Sequence, residues 1–216
     1  RSPETLARTS ARTPERAIVV SHDSHTLAAM FDRLHGDHVA VFEAARPLLK
    51  EAAALAEAAI STLSAGGKLL LCGNGGSAAD SQHIATEMTV RFEKTRRGLP
   101  AIALTTDTSA LTAAGNDFGF EHVFSRQVEA LGREGDLLVG ITTSGNSPNV
   151  ISALRVAREL GLVTACLAGH GGGQVARENL ADHILTSPGA STARAQEVHI
   201  FLGHLVCAAV DAAFAG

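Results

Sequence analysis

The chain has 216 residues, enough for one well-buried domain and too few for two of ordinary size. Its 18 basic and 22 acidic residues give a net charge of -4 and no basic footprint for nucleic acid, and no stretch reads as the roughly 20 consecutive apolar residues of a membrane span. Cys72, Cys166 and Cys207 lie far apart inside apolar runs, the pattern of free buried thiols in a reducing compartment, so a cytoplasmic location is expected.

Residues 1–23 show no sustained periodicity beyond the short run Ala17-Ile18-Val19-Val20, and a flexible N-terminal tail is expected there; Arg1 to Arg16, with its charges and two prolines, fits neither a signal peptide nor an anchor. Residues 24–216 read as one domain. From Ser24 to Ala65 apolar residues recur at helical spacing, which predicts two or three helices closed by Gly66-Gly67 and serving packing and oligomerisation. Short apolar runs then appear at Leu69 to Cys72, Ala101 to Thr105, Leu137 to Ile141, Val163 to Ala168 and His183 to Thr186. Each leads through a polar or glycine turn into a helical segment. This alternation predicts an α/β fold, a parallel sheet between helices, with ligands outside the carboxyl ends of the strands. A long helix from Thr192 to Phe214, apolar on more than one side, is expected to close the chain against the sheet and a neighbouring subunit.

The first strand runs into Gly73-Asn74-Gly75-Gly76-Ser77. A strand, a glycine turn and a helix N-terminus, here with Ser77 as the expected cap, aim backbone N–H groups and the helix dipole at one point and so form an anion cradle. On the helix that follows, His83 and Glu87 stand one turn apart on one face, and Arg91 is expected a turn further along. An imidazole and a carboxylate so placed can share a metal or do acid–base work, although the same spacing also makes an ordinary surface contact. A second turn, Thr142-Thr143-Ser144-Gly145-Asn146-Ser147-Pro148-Asn149, offers hydroxyls and a glycine before a helix but no lysine, which suits a sugar phosphate better than a nucleotide triphosphate. Gln196, Glu197, His199 and His204 lie on the last helix, where spacing alone singles out no pair and a histidine among apolar residues is commonly a core residue. Gly115-Asn116-Asp117-Phe118-Gly119 reads as an Asx-type turn whose side chains could bond sugar hydroxyls, and Gly169 to Gly173 as a flexible loop without a role.

Taken in order, Cys72 to Asp80, His83-Ile84-Ala85-Thr86-Glu87, Gly115 to Gly119, Thr143 to Ser147, and Gln196-Glu197-Val198-His199 with His204 beyond, the chain resembles the phosphoheptose isomerases of the sugar-isomerase (SIS) superfamily over about residues 40 to 214. The resemblance implies a three-layer, flavodoxin-like fold with a five-stranded parallel sheet preceded by N-terminal helices, in a homotetramer with active sites at subunit interfaces. It implies substrate contacts from Asn74, Gly75, Gly76, Glu87, Arg91, Asn116, Asp117 and Gln196, with phosphate held by Thr142, Thr143, Ser144 and Ser147. It further implies one Zn²⁺ per subunit on His83, Glu87, Gln196 and His204, and catalysis by Glu87 as base with His204 as its acid–base partner. Many relatives carry serine where this chain has Thr142, which implies tighter packing with the hydroxyl kept. A carboxylate bound to zinc is a weaker base, so Glu87 cannot serve both tasks fully at once.

The expected reaction is the aldose–ketose isomerisation of sedoheptulose 7-phosphate to D-glycero-D-manno-heptose 7-phosphate through a cis-enediol, with no nucleic acid or membrane partner. The alternative is a non-catalytic SIS module that senses a sugar phosphate or binds the bacterial replication initiator. That branch resembles the chain around Phe92-Glu93 and Leu99 to Leu104, but typically lacks the acid and the histidine that stand here as Glu87 and His204.

Overall fold

The computed structural model describes residues 23–189 and 191–215, so the tail expected over 1–23 lies, apart from Asp23, outside the described residues. Two compact units are distinguished, 1–37 and 38–216. In the first, the Asp23 carboxylate accepts hydrogen bonds from the Thr26 amide (2.8 Å) and hydroxyl (3.1 Å) at the start of α1 (Ser24–Ala44). None of the residues of α1 is buried.

In the second unit α2 (Leu48–Ser64) ends as the glycines predict, with Gly66 following at φ +86°. Then come β1 (Leu69–Gly73), α3 (Gly76–Thr89), β2 (Ala101–Ala103), α4 (Thr108–Asp117), α5 (Ser125–Leu131), β3 (Leu137–Thr142), α6 (Pro148–Glu159), β4 (Val163–Ala168), α7 (Gly173–Arg177), β5 (His183–Thr186) and α8 (Thr192–Phe214). The strands pair in parallel in the order β2-β1-β3-β4-β5, the flavodoxin-like arrangement.

Alternation along the strands divides the core in two. Leu69 and Leu71 of β1, with Leu137, Val139 and Ile141 of β3, pack under α2, α3 and α8. Leu70, Cys72, Leu138 and Cys166 face the opposite way into the helices α4 to α7. All three cysteines are free and buried; burial pushes the Cys166 and Cys207 thiols up to about 12, and Cys72 higher still. At the amino ends of the strands the buried Asp136 carboxylate accepts from the Lys68 and Arg133 amides (2.9 and 2.8 Å) and from the Lys68 ammonium.

Three local expectations are corrected. Residues 115–117 are not an Asx-type turn but the end of α4, because the Asp107 side chain caps the helix at the Ala110 amide and the helical bonding runs on to Asp117. The stretch 169–173 is not an open loop: His170–Gly172 form a helical turn, and Gly173 begins α7. The closing helix, expected to fall short of a membrane span, is long and apolar enough to cross a membrane by length and composition. Its apolar residues Val198, Leu202, Val206 and Val210 serve the core, and polar Gln196, His204 and Asp211 interrupt the rest.

Candidate active site

The cradle forms where the strand order reverses, between the carboxyl ends of β1 and β3. Asn74, Gly75, Gly76 and Ser77 from the first turn, Thr142, Thr143 and Ser147 from the second, and Thr192 and Gln196 from α8 line a cavity of ≈ 330 Å³. The two turns are locked together by a reciprocal pair: Asn74 Nδ2 donates to Asn149 Oδ1 (2.9 Å), and Asn149 Nδ2 donates to Asn74 Oδ1 (2.8 Å). Asn149, the last residue of the expected turn, was given no role from sequence; it is buried at the start of α6.

Ser77 is not the cap. The helix begins at Gly76, with Gly75 capping in a conformation (φ 56°, ψ -120°) that suits glycine, so Ser77 already lies in the first turn, buried. Its amide bonds the Asn74 carbonyl at 3.0 Å. The Gln196 amide lies against Gly76, where a Cβ would come within 2.3 Å of Nε2. In the second turn Thr142 Oγ1 reaches Ser147 Oγ (2.9 Å) and Ser144 Oγ (3.4 Å), so the hydroxyls hold one another; Thr142 and Ser147 line the cavity and Ser144 does not. Gly145 has φ +64°, and a Cβ there would meet the Gly172 carbonyl oxygen at 2.1 Å. The Val175 amide donates to the Gly145 carbonyl (3.1 Å), and Gly172 and Gly173, in the segment given no role from sequence, pack directly behind Gly145.

Further along α3 the acid–base candidates meet. His204 Nε2 stands 3.1 Å from His83 Nε2, and His83 Nε2 stands 3.2 Å from Glu87 Oε1, so Glu87 and His204 meet through His83. The crossing of α3 and α8 makes this possible: a Cβ on Gly203 would sit 2.5 Å from the Ile84 side chain, so only glycine lets the helices come this close. Burial and the facing His83 lower the pKa of His204 against the upward pull of Glu87, which keeps its ring neutral at pH 7. The Phe92 ring packs beside His204 at 5.4 Å between centroids. His199, by contrast, is a core residue: Nε2 donates to the Ala168 carbonyl (2.9 Å), while the buried Nδ1 has no partner.

Two imidazoles and a carboxylate are donors of the kind zinc takes. Tetrahedral zinc with bonds of ~2.0–2.1 Å places its ligand atoms ~3.3 Å apart, close to the 3.1 and 3.2 Å separations found here. Among the described residues no three His, Cys, Asp or Glu side chains are grouped so as to hold a metal ion.

Other expected site residues stand elsewhere in the chain. Arg91 lies past the end of α3, exposed, its guanidinium on the Glu93 carbonyl (3.5 Å), because the helix stops at Thr89. Asn116 donates to Asp117 Oδ1 (2.7 Å), and Asp117 borders a separate hollow with Phe118 and Arg126.

Residues 38–169 match the SIS domain family. The chain is 56% identical to the phosphoheptose isomerase of Paramagnetospirillum magneticum over 158 residues, 73% of this chain and 81% of the relative. It is 52% identical to phosphoheptose isomerase 1 of Campylobacter jejuni over 178 residues, 82% and 95% of the two chains. The chain belongs to the phosphoheptose isomerase family. Its fold agrees: the solved phosphoheptose isomerase of Neisseria gonorrhoeae superposes with a TM-score of 0.81 at 46% identity, over 86% of this chain and 99% of that one. The phosphoheptose isomerase of Francisella tularensis does so at 0.78 and 37% identity, over 87% of this chain and 97% of that one.

Proposed function

We propose that the chain interconverts sedoheptulose 7-phosphate and D-glycero-D-manno-heptose 7-phosphate by way of a cis-enediol. Beyond the kinship with phosphoheptose isomerases, one observation carries this reading: a carboxylate and a neutral imidazole converge, through His83, on the same helix whose first residues form an anion cradle. From Gly76 to His83 is about 10 Å along α3, the scale of an extended heptose phosphate.

The phosphate rests in the hydroxyl turn of Thr142, Thr143, Ser144 and Ser147, facing the backbone of Gly75 and Gly76. Glu87 takes the proton from C1 of the ketose while His204 gives one to the C2 oxygen, forming the enediol. His204 then takes the proton from the C1 oxygen, and Glu87 returns its own to C2. The hydrogen of C1 ends on C2 and that of O1 on O2, so nothing is gained or lost. Each such role contributes roughly 10²–10⁴-fold.

One Zn²⁺ per subunit, held by His83 and Gln196 and in a labile way by Glu87 and His204, would polarise the carbonyl and stabilise the enediolate charge, while Glu87 and His204 keep their proton-transfer roles only when free of it. A homotetramer with sites at subunit interfaces is supported by α1, which buries nothing and exposes Phe31, and by Asn116 and Asp117, which lie outside the cradle of their own chain. Three buried, unpaired thiols support a cytoplasmic location.

The test is incubation of the purified protein with sedoheptulose 7-phosphate, with and without a chelator, and identification of the product by NMR. The manno-heptose phosphate is expected. Binding of the sugar phosphate without any product would replace this reading by that of a sensing module.

A further inference from the structure

Glu87 sits third from the end of α3, in a turn whose carbonyls have lost their helical partners and which is therefore prone to fray. A general base needs the opposite, since a misplacement of about 1 Å can cost ~10²-fold in rate. A buried ion pair supplies what the helix lacks. Arg96 Nη2 donates to the Glu87 carbonyl (2.8 Å) and Nη1 to the Met88 carbonyl (2.9 Å), replacing the missing bonds and placing a positive charge at the negative end of the helix dipole. Its Nε donates to Asp211 Oδ1 at 2.6 Å, with the two side chains 0% and 2% exposed.

Asp211 lies two turns beyond His204 on α8, on nearly the same face. Its other oxygen accepts the Glu93 and Lys94 amides, both at 2.8 Å. That anchors the segment carrying Phe92, whose ring packs on His204. One ion pair thus touches the backbone of the base, the helix of the imidazole and the loop beside it.

We infer that Arg96 and Asp211 are positioning residues, which hold the last turn of α3 and the His204 stretch of α8 in catalytic register. The inference rests on the assignment of Glu87 and His204 as the reacting pair. Lysine at position 96 keeps the charge beside Asp211 but cannot fork onto two carbonyls as well. Arg96→Lys therefore lowers kcat about 10²-fold. KM for sedoheptulose 7-phosphate stays within about twofold, because the cradle at the other end of α3 is untouched.

The matched control is Lys68→Met, which breaks the ion pair at the amino ends of the strands; it lowers Tm and leaves kcat as it was. If Arg96→Lys does not fold, Asp211→Asn and the less buried Phe92→Leu are read in the same way, with a smaller fall, about tenfold, for the latter. A folded Arg96→Lys enzyme with wild-type kcat, or one whose loss lies in KM, overturns the inference. Glu87→Gln is measured alongside: if it turns over normally, the assignment of the reacting pair has failed. If it is inactive while Arg96→Lys is normal, only the positioning role has failed.

Discussion

At its first turn α3 faces the cavity with backbone: Gly75 and Gly76 bring main-chain atoms to it, and Asn74 and Asn149 clamp the flanking turns. In its last two turns it presents side chains, His83 and Glu87, and depends on Arg96, Asp211 and Gly203 to hold them against His204. On the proposed function the first end serves affinity and the second chemistry. The two are joined by a rigid rod of fixed length, so the distance from phosphate to reacting carbon is set by helix geometry and not by a loop.

The sharpest way to break this division is Glu87→Gln. The amide keeps the shape but cannot accept a proton, so kcat is expected to fall about 10²–10⁴-fold, with competitive inhibition by inorganic phosphate unchanged. A parallel loss of phosphate binding would mean that the two ends are not separable. The reciprocal variant is Gly145→Ala, which puts a Cβ at positive φ and into the Gly172 carbonyl. Strain of about 1–3 kcal/mol spent on the turn predicts a KM roughly tenfold to a hundredfold higher, with kcat nearly kept. If kcat falls instead and KM holds, the hydroxyl turn does something other than hold phosphate. Asn149→Ala probes the clamp between the turns. It leaves the Asn74 amide without its partner and is expected to cost about 1–3 kcal/mol of stability, read by denaturant titration, with a smaller rise in KM than Gly145→Ala.

The two ends were not equally legible in the sequence. The cradle was, because glycine and hydroxyl residues after a buried strand announce a backbone device, and the five apolar runs placed it in a parallel sheet. His83 and Glu87 were legible as a pair one turn apart. That His204 joins them followed from the resemblance alone and not from spacing, because the contact depends on the crossing of two helices whose sequences are far apart, permitted by a single glycine, Gly203, that looked like any other. Arg96 and Asp211 were invisible for the same reason: a charged residue in a loop and one on a helix read as surface until tertiary packing buries them together. Ser77 shows the limit of cap rules, since Gly75, two residues earlier, took the cap position.

The smallest expected effect separates core from site within α8. His199 differs from His204 in having one bond, to the Ala168 carbonyl, and a buried ring nitrogen with no partner. Burial lowers its pKa below the ordinary value of 6.5, and the bond to Ala168 only partly offsets this. The folded protein therefore binds a proton at this ring less readily than the unfolded chain does. Stability from His199 is fully present above about pH 6.5 and is lost as the pH falls from there through the folded value. Carboxylates held below their usual range, such as Asp211, act only in more acid solution. Burial pushes Asp211 up, but the Lys94 and Glu93 amides and the Arg96 guanidinium outweigh it. The Tm of the wild type is thus expected to decline between pH 7 and pH 5. In His199→Gln, whose amide can still donate toward Ala168 but cannot titrate, that decline should shrink. An equal decline in both proteins would assign the acid sensitivity to other histidines and leave His199 a packing residue alone.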